Sequence, residues 1–276
     1  MSNSFLDDIN FFGLKIKKKY GQNFLIDKNI IHKIITAIDI RENDAILEIG
    51  AGLGALTQYL IRAKKVIAIE IDGDLVRVLK NKFNSHKNLE LIQADILKID
   101  LDDILKNFED IKIVSNLPYY ISTAVITKCL FLKNIKSMTF MLQKEVGERI
   151  LSSPSTESYG SLSVLTHYFS EPKIITYVSP NCFVPKPNVN SVVINMTVHK
   201  KNICSNEKFL FDIIRQAFSK RRKTLLNCLN NFHGLSKQKI AYALSKINRD
   251  RNTRGESLTL DEFIKLADAL QRLINE

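Results

Sequence analysis

Short apolar segments alternate with amphipathic segments over about the first 150 residues of the chain. The apolar segments are rich in Val, Ile and Leu and predict buried strands, whereas residues 28–38 repeat apolar positions at helical spacing. Five strands are predicted, at AILEIG (45–50), VIAIEID (66–72), LELIQAD (89–95), IKIVS (111–115) and MTFMLQ (138–143). Strands that alternate with helices indicate βαβ units and a mostly parallel sheet.

The pattern changes towards the carboxyl terminus. Two more β-like segments, 172–179 and 191–199, extend the predicted sheet, and the polar segment 152–161 predicts a loop. Beyond about residue 205 the helical period remains in three segments, 209–229, 236–247 and 258–276. We therefore predict an α/β, Rossmann-like domain over residues 1–202 and a small all-helical domain over residues 203–276.

The composition is that of an ordinary globular protein, with 45% hydrophobic and 25% charged residues. No apolar run approaches the roughly 18 residues of a membrane-spanning helix. Asp7 and Asp8 stand where a secretory signal would carry positive charge. We expect a cytoplasmic protein, or an organellar one whose targeting segment has been removed. The cysteines form no C-x-x-C pair, which argues against a metal site and a disulfide framework.

Positive charge is concentrated near the carboxyl terminus. The formal net charge is +11, and residues 201–276 hold 15 Lys/Arg against 8 Asp/Glu. Residues 17–19 form one short run of lysines, and a longer run consists of Lys220, Arg221, Arg222 and Lys223. A polyanion such as RNA is the natural partner for this charge. A basic helix lying on a membrane is the alternative, but the longer run lacks a strongly amphipathic, aromatic-anchored setting.

A glycine-rich segment, EIGAGLGALT (48–57), connects the first strand of the predicted sheet to a helix. Gly50 and Gly52 allow a sharp turn and leave room for a ligand against backbone amides. Glu70 ends the second strand, 20 residues after Gly50, and a carboxylate there accepts hydrogen bonds from a ribose diol. An NAD enzyme and an S-adenosylmethionine (SAM) enzyme both fit these features.

Asp95 lies at the end of the third strand. A carboxylate at that place can accept a hydrogen bond from the exocyclic amine of an adenine that lies across the strand ends. The alternative is that Asp95 caps the following helix. Together with Gly50 and Glu70 it marks three successive strand ends, where open α/β sheets bind ligands, and it favours SAM.

The segment NLPYY (116–120) follows the fourth strand. The exocyclic amine of a nucleobase is a weak nucleophile, so the protein must hold its two N–H bonds and direct its lone pair. The side-chain oxygen of Asn116 and the carbonyl of Leu117 can accept these bonds, and Pro118 fixes the chain direction. Tyr119 can stack on the base. The alternative is a plain turn with packed tyrosines.

These motifs together resemble the rRNA adenine N6,N6-dimethyltransferase family, and most of all its bacterial small-subunit branch. The combination of NLPY with FVPKPNVNSVV is the most specific part. The matching segments run nearly end to end: KKKYGQNFL (17–25), EIGAGLGALT (48–57), IEID (69–72), QADIL (93–97), NLPYYIS (116–122), MLQKEVGERI (141–150), YGSLSVL (159–165), FVPKPNVNSVV (183–193) and AFSKRRKTLLN (217–227).

The resemblance implies a SAM cofactor and assigns the residues that contact it. We add Gly52, Ile71 and Ile96, which lie next to or near these residues in the sequence. The expected cofactor site then consists of Asn23, Leu25, Gly50, Gly52, Glu70, Ile71, Asp95, Ile96 and Asn116. From the pattern alone, Asn23 and Leu25 look like the start of a helix. The family holds the target adenine between the rings that match Tyr119 and Phe183. The alternative for Phe183 is a buried core residue.

The implied reaction is dimethylation of two adjacent adenines in the 3′-terminal hairpin loop of small-subunit rRNA, on an assembling small ribosomal subunit. We expect the protein to be monomeric and its basic run to bind RNA. One alternative is a large-subunit rRNA methyltransferase of the antibiotic-resistance type, and another is a non-catalytic RNA-binding assembly factor. An NAD dehydrogenase is a weaker alternative, because no proton-transferring His or Lys is evident near the strand ends.

Overall fold

The protein, represented by a computed structural model, is described over three stretches of the chain: 9–199, 204–220 and 222–275. The described residues form two compact units. The first unit takes its residues from Met1–Gly147 and Glu171–Val198, and the second from Glu148–Ser170 and His199–Glu276. The segment Glu148–Ser170 therefore belongs to the helical unit, whereas the predicted division after residue 202 places it in the domain that contains the sheet. A functional separation into catalytic and RNA-binding domains remains a prediction.

The strands coincide closely with the predicted apolar segments, except for two two-residue strands at 24–25 and 183–184, which were not predicted. Their bounds are β1 Phe24–Leu25, β2 Ala45–Ile49, β3 Lys65–Glu70, β4 Leu89–Gln93, β5 Ile111–Asn116, β6 Ile135–Gln143, β7 Ser170–Val178, β8 Phe183–Val184 and β9 Ser191–Val198. The largest difference is in β6, which begins three residues before the predicted segment 138–143. Its first residue, Ile135, is buried.

Seven of these strands form one sheet with the order β4-β3-β2-β5-β6-β9-β7. The pairs β3–β4, β2–β3, β2–β5 and β5–β6 are parallel, and β6–β9 is antiparallel. The predicted α/β fold with a mostly parallel sheet is thereby confirmed. Strands β1 and β8 form a separate antiparallel pair, in which Leu25 lies opposite Phe183.

The helices of the first unit are short. Their bounds are α1 Lys28–Ile38, α2 Thr57–Leu60, α3 Gly73–Lys82, α4 Leu101–Leu105, α5 Ser122–Leu130 and α6 Lys144–Ile150, the last of which ends in the second unit. Asp27 caps α1 by accepting hydrogen bonds from the amides of Asn29 and Ile30. Buried isoleucines at helical spacing, Ile30 and Ile34 among them, place one face of α1 in the core.

The second unit is helical over most of its described length. Its helices are α7 Ser161–Phe169, α8 Glu207–Ser219, α9 Leu225–Cys228, α10 Lys237–Lys246 and α11 Leu260–Asn275. Fully buried side chains, such as Leu210, Leu244 and Phe263, hold them around one apolar core. Among the described helices of the whole chain, none has the length and apolar character needed to span a membrane.

The prediction of one helix over 209–229 is wrong. Helix α8 ends at Ser219, and Lys220 has φ −135° and ψ 77°, outside the helical region. The amide of Lys223 donates to the carbonyl of Lys220 at 2.9 Å, which closes a turn before α9. In a continuous helix Lys220 and Lys223 would lie three residues apart as neighbouring like charges, which slightly disfavours a helix across this run.

Glu48 is a buried acid in the middle of the sheet. Its side chain, in a residue only 2% exposed, accepts a hydrogen bond from the Thr57 hydroxyl at 2.7 Å. Burial raises the pKa of Glu48 to about 8, and the nearby Glu70 carboxylate adds to the rise. Glu48 is therefore protonated at neutral pH in the folded protein.

This buried acid predicts a pH dependence of stability. Because the folded pKa lies above the value of 4.5 for a free carboxyl, the folded state holds more protons between these values. The free energy of unfolding should therefore fall as the pH rises from about 4.5 to about 8, by ~1.4 kcal/mol for each unit separating the two pKa values. In Glu48→Gln the side chain stays neutral, so this fall should be largely absent.

Denaturant unfolding of wild type and Glu48→Gln from pH 5 to pH 9 measures the effect. Exposed Glu42 provides the matched control, and Glu42→Gln should follow the wild-type curve. Parallel curves for wild type and Glu48→Gln would show that Glu48 is charged in the folded protein.

Candidate active site

The sheet order aligns the predicted strand-end residues along one edge. The parallel strands β4, β3, β2 and β5 are neighbours in that order, so their carboxyl ends lie side by side. Glu70 pairs with Gln93, two residues before Asp95, while Ile49 pairs with both Ile69 and Ser115. The edge therefore presents the expected residues in the order Asp95, Glu70, Gly50, Asn116, which the order along the chain does not reveal.

Glu70 holds the glycine loop to the end of β3. Its Oε2 accepts from the amide of Gly52 at 2.9 Å, and its Oε1 accepts from the amide of Asp72 at 3.0 Å. Burial raises the pKa of Glu70, while these backbone donors oppose the rise. Gly50 has φ 72°, a left-handed conformation that favours glycine. The carboxylate is thus fixed in position at the edge of the sheet.

Asp95 does not cap a helix, the alternative raised for it, because the residues after it form a turn and the next helix begins only at Leu101 with Asp100 as its cap. Its Oδ1 accepts from the amide of Leu97 at 3.0 Å, and its Oδ2 lies 3.9 Å from Nζ of Lys98. The side chain is 31% exposed, so it also faces solvent at the edge. A carboxylate can accept several hydrogen bonds, so the turn does not exhaust its capacity to bind an amine.

Asn116 ends β5 with an oriented amide. Its Nδ2 donates to the backbone carbonyl of Asn23 at 2.9 Å. One of the two N–H groups of Nδ2 is used in this bond, which orients the amide so that its side-chain oxygen is available to accept from a ligand. This bond links the segment before β1 to the end of β5.

The remaining residues of NLPYY differ in their surroundings. Leu117 is buried, and its amide donates to the carbonyl of Met141 at 3.2 Å. The Tyr119 hydroxyl shares a hydrogen bond with Ser191 at 2.7 Å, and burial raises its pKa. Pro118 has φ −56° and ψ 129°, an extended conformation that directs the chain from Asn116 to Tyr119. Tyr120 is 64% exposed, so the two tyrosines do not both pack as the plain-turn alternative requires.

Phe183 is buried and only 3% exposed. It lies in β8 opposite Leu25 and belongs to a core cluster with Met141 and Val193. This is the position expected of a core residue, the alternative raised for Phe183. Contact between its ring and a target base remains a prediction.

The prediction that Asn23 and Leu25 begin a helix is wrong. Leu25 lies in β1, and α1 begins only at Lys28, after the capping residue Asp27. The capping aspartate is a local signal that could have placed this boundary. The two branched residues beside the acids differ in exposure, since Ile71 is 36% and Ile96 is 6% exposed.

The predicted RNA-binding run lies in the second unit. Lys220, Arg222 and Lys223 are exposed, and none of these three makes an ion pair with another described residue. Arg221 lies outside the described residues. In the amino-terminal run, by contrast, Lys17 is committed to an ion pair with Asp72 at 2.6 Å.

The strand-end edge fits a cofactor that contains an adenosine. A Cβ placed on Gly50 would meet only the backbone carbonyl of Asn116 within 4 Å, at 3.8 Å, so there is open space between the ends of β2 and β5. The acceptors around this space are carboxylates and an amide oxygen, which suit ribose hydroxyls and amines. A pyrophosphate would call for cationic or amide donors instead.

An α/β sheet with acceptors at these strand ends is typical of SAM-dependent methyltransferases. The family model for ribosomal RNA adenine dimethylase matches residues 13–272, and the chain belongs to this family. A relative from Clostridium botulinum (strain Kyoto / Type A2), named "Ribosomal RNA small subunit methyltransferase A", is 41% identical over 96% of this chain and 98% of its own. A relative of the same name from Lachnoclostridium phytofermentans is 43% identical over 96% and 95%.

Solved structures agree with this assignment. A dimethyladenosine transferase from Plasmodium falciparum superposes with a TM-score of 0.77 at 28% identity, covering 88% of this chain and 95% of its own. The 23S rRNA methyltransferase ErmE gives a TM-score of 0.69 at 24% identity, covering 90% of this chain and 100% of its own. The second likeness concerns the fold alone.

The geometry of Asn116 predicts a selective loss of catalysis. Asn116→Ala removes an oriented acceptor at the strand end, and correct alignment of reacting groups contributes up to roughly 7–11 kcal/mol to catalysis. We expect methyl transfer to fall to a few per cent of wild type or below, while SAM binding measured by calorimetry falls far less, because Glu70, Asp95 and the ion pair of Lys17 with Asp72 are unchanged.

Asn195→Ala provides the matched control. Asn195 also donates its amide to a backbone carbonyl, that of Ala37 at 3.2 Å, but it lies in the middle of β9. The activity of the folded fraction of this variant should stay near that of wild type. Substantial turnover by Asn116→Ala would show that another group aligns the acceptor.

Proposed function

We propose that the protein transfers methyl groups from SAM to N6 of two adjacent adenines in the 3′-terminal hairpin loop of small-subunit rRNA. Each adenine receives two methyl groups. The observation that carries this proposal is the Asn116 amide, whose nitrogen is committed to the Asn23 carbonyl at 2.9 Å. Its oxygen is left at the end of β5 to accept from an amine.

The residues of β5 and the following turn would align the acceptor. In adenine the lone pair of the exocyclic amine is delocalised into the ring, so the amine attacks poorly unless it is held. The Asn116 oxygen accepts one N–H, and the carbonyl of Leu117 accepts the other. Leu117 is well placed for this because its own amide is anchored to the Met141 carbonyl. These two acceptors direct the lone pair outward, and alignment accounts for most of the rate gain.

The strand ends next to β5 would hold the cofactor. Glu70 accepts from the ribose hydroxyls, Asp95 accepts from the adenine amine, and the Gly50 loop leaves the space between them. We also assign cofactor contacts to the remaining expected members of the site: Asn23, Leu25, Gly52, Ile71, Ile96 and Asn116. Bound there, SAM supplies an electrophilic methyl group carried on a sulfonium.

Aromatic rings would receive the target base. An enzyme that modifies a base must first take it out of its stack. Tyr119 is suited to this because the hydrogen bond between its hydroxyl and that of Ser191 fixes the ring. Phe183 would form the second face of the pocket. Phe183 is buried where β8 pairs with β1. Its ring can therefore reach a base only if the β8 segment moves locally.

The small ribosomal subunit during assembly is the proposed partner. The relatives named above carry the words "small subunit", which favours this rRNA over that of the large subunit. A purely non-catalytic assembly factor would not require the oriented Asn116 amide or the Glu70 carboxylate. Monomeric state and cytoplasmic location remain predictions.

Methylation of isolated subunits tests the proposal. Purified protein is incubated with labelled SAM and with small or large ribosomal subunits from a strain that lacks adenine dimethylation. We expect label in small-subunit rRNA and N6,N6-dimethyladenosine in its nuclease digest, with Asn116→Ala as the inactive control. Label confined to large-subunit rRNA would establish the antibiotic-resistance alternative, and no label with either subunit would contradict the proposed reaction.

The basic run predicts salt-dependent RNA binding. Each phosphate contact contributes roughly 0.7–0.9 to the slope of log affinity against log salt, because counterions are released. Replacing Arg221, Arg222 and Lys223 with Gln should weaken rRNA binding most at low salt and flatten this slope by about two units. SAM binding should be unchanged. Filter binding across a salt series measures both affinity and slope.

The control for this variant removes the same charge elsewhere. Lys64, Lys80 and Lys87 are exposed residues of the first unit, and their replacement with Gln should alter the slope much less. Equal slopes for the two triple variants would mean that residues 220–223 act only through the net charge of the protein.

A further inference from the structure

Lys17 neutralises two acids that follow the second strand of the large sheet. Its Nζ lies 2.6 Å from Oδ1 of Asp72 and 2.7 Å from Oδ2 of Asp74. The hydrogen bond to Asp72 is the main cause of a raised pKa at Lys17, and the hydrogen bond from Lys17 lowers the pKa of Asp74. The charge of Lys17 is therefore used inside the first unit, although its sequence context suggested a contact with a polyanion.

Gln22 completes the contact from the same segment. Its Nε2 donates to Oδ2 of Asp72 at 2.9 Å, and its Oε1 accepts from the amide of Lys17 at 2.8 Å. Both oxygens of the Asp72 carboxylate are thus bound by residues of one short segment. Asp72 is 2% exposed, so without these donors a buried carboxylate would lose much of its compensation.

Asp72 connects Lys17 to Glu70, the proposed ribose-binding residue. Its amide donates to Oε1 of Glu70 at 3.0 Å, and its side chain caps α3 by accepting from the amide of Asp74 at 3.1 Å. The backbone at Asp72 is consequently held from both sides. A change in its position moves a donor that fixes Glu70.

The other end of the segment reaches the acceptor side of the site. The carbonyl of Asn23 accepts from the Asn116 amide at 2.9 Å. The Phe24 ring lies 3.4 Å from the place where a Cβ on Gly52 would stand. Residues 17–25 therefore connect to Glu70 through Asp72, and they contact the glycine loop through Phe24. They also bind the side chain of Asn116 through the carbonyl of Asn23.

We propose that Lys17 is a positioning residue, which through its ion pairs with Asp72 and Asp74 and through Gln22 holds residues 17–25 in the place that sets both Glu70 and Asn116. This inference rests on the proposed function for the meaning of the two ends of the site. The inference adds that one ion-paired segment aligns the two halves of the site, which are the cofactor half with Glu70 and the half with Asn116 that holds the target amine. Loss of the ion pair should loosen both halves together.

Three variants test this role. Lys17→Met removes the charge, Lys17→Arg keeps it, and Lys15→Met removes an equal charge from an exposed neighbour that makes no ion pair in the described part of the chain. SAM affinity is measured by calorimetry without RNA. We expect Lys17→Met to bind about tenfold more weakly, within the usual range for coupling between sites. Lys17→Arg should recover most of this loss, and Lys15→Met should match wild type.

Two further measurements separate positioning from a general loss of folding. Hydrogen exchange of the protein without SAM should show faster exchange in residues 17–25 and around Glu70 for Lys17→Met, with no change in the second unit. In methyl transfer, KM for SAM should rise and kcat should fall, because each half of the site is affected. A simple loss of folded protein would lower kcat and leave KM and the binding constant unchanged.

A double-mutant cycle identifies the partner. Asp74 is the more exposed acid, with 42% of its side chain accessible, so Asp74→Asn is not expected to prevent folding. If Lys17 acts through this ion pair, the effects of Lys17→Met and Asp74→Asn on SAM affinity should be less than additive. Wild-type affinity and exchange in Lys17→Met would overturn the inference. Normal SAM binding by wild type without methylation of either subunit would contradict the proposed function alone.

Discussion

The hydrogen bond from the Asn116 amide to the Asn23 carbonyl is the interaction on which the site depends. It joins a strand end of the large sheet to a segment that precedes the sheet in the chain. An amide has a donor end and an acceptor end, and a bond at the donor end fixes the direction in which the acceptor end points. The same bond therefore sets the chemistry of Asn116 and ties down the amino-terminal segment.

The rest of the edge follows from parallel pairing. In a parallel sheet the carboxyl ends of all strands lie at the same edge. Strand pairing alone therefore makes neighbours of residues that are far apart in sequence. Asp95, Glu70, Gly50 and Asn116 each come from a different connection after a strand. The rigid strands fix the spacing, while the loops supply the functional groups.

The sequence predicts this edge well because strand ends carry strong local signals. Apolar runs followed by Gly50, Glu70 or Asp95 can be recognised without knowing their partners. The order of strands and the commitment of the Asn116 nitrogen depend on contacts between distant residues, which periodicity does not contain. The break at Lys220 was missed for a similar reason, since apolar spacing continues across it while backbone and charge interrupt the helix.

Charge is distributed in a way that matches two different ligands. The strand-end edge carries the buried Glu70 and the partly exposed Asp95, in a protein whose formal net charge is +11. Carboxylates that accept from hydroxyls and amines would repel a phosphate backbone, so they suit a cofactor and an extruded base rather than a duplex. Strong attraction for RNA requires cations elsewhere, and the proposed contacts of the exposed Lys220 and Lys223 would supply them. The two kinds of residue lie at different places because holding an amine requires neutral or anionic acceptors, whereas affinity for RNA requires positive charge.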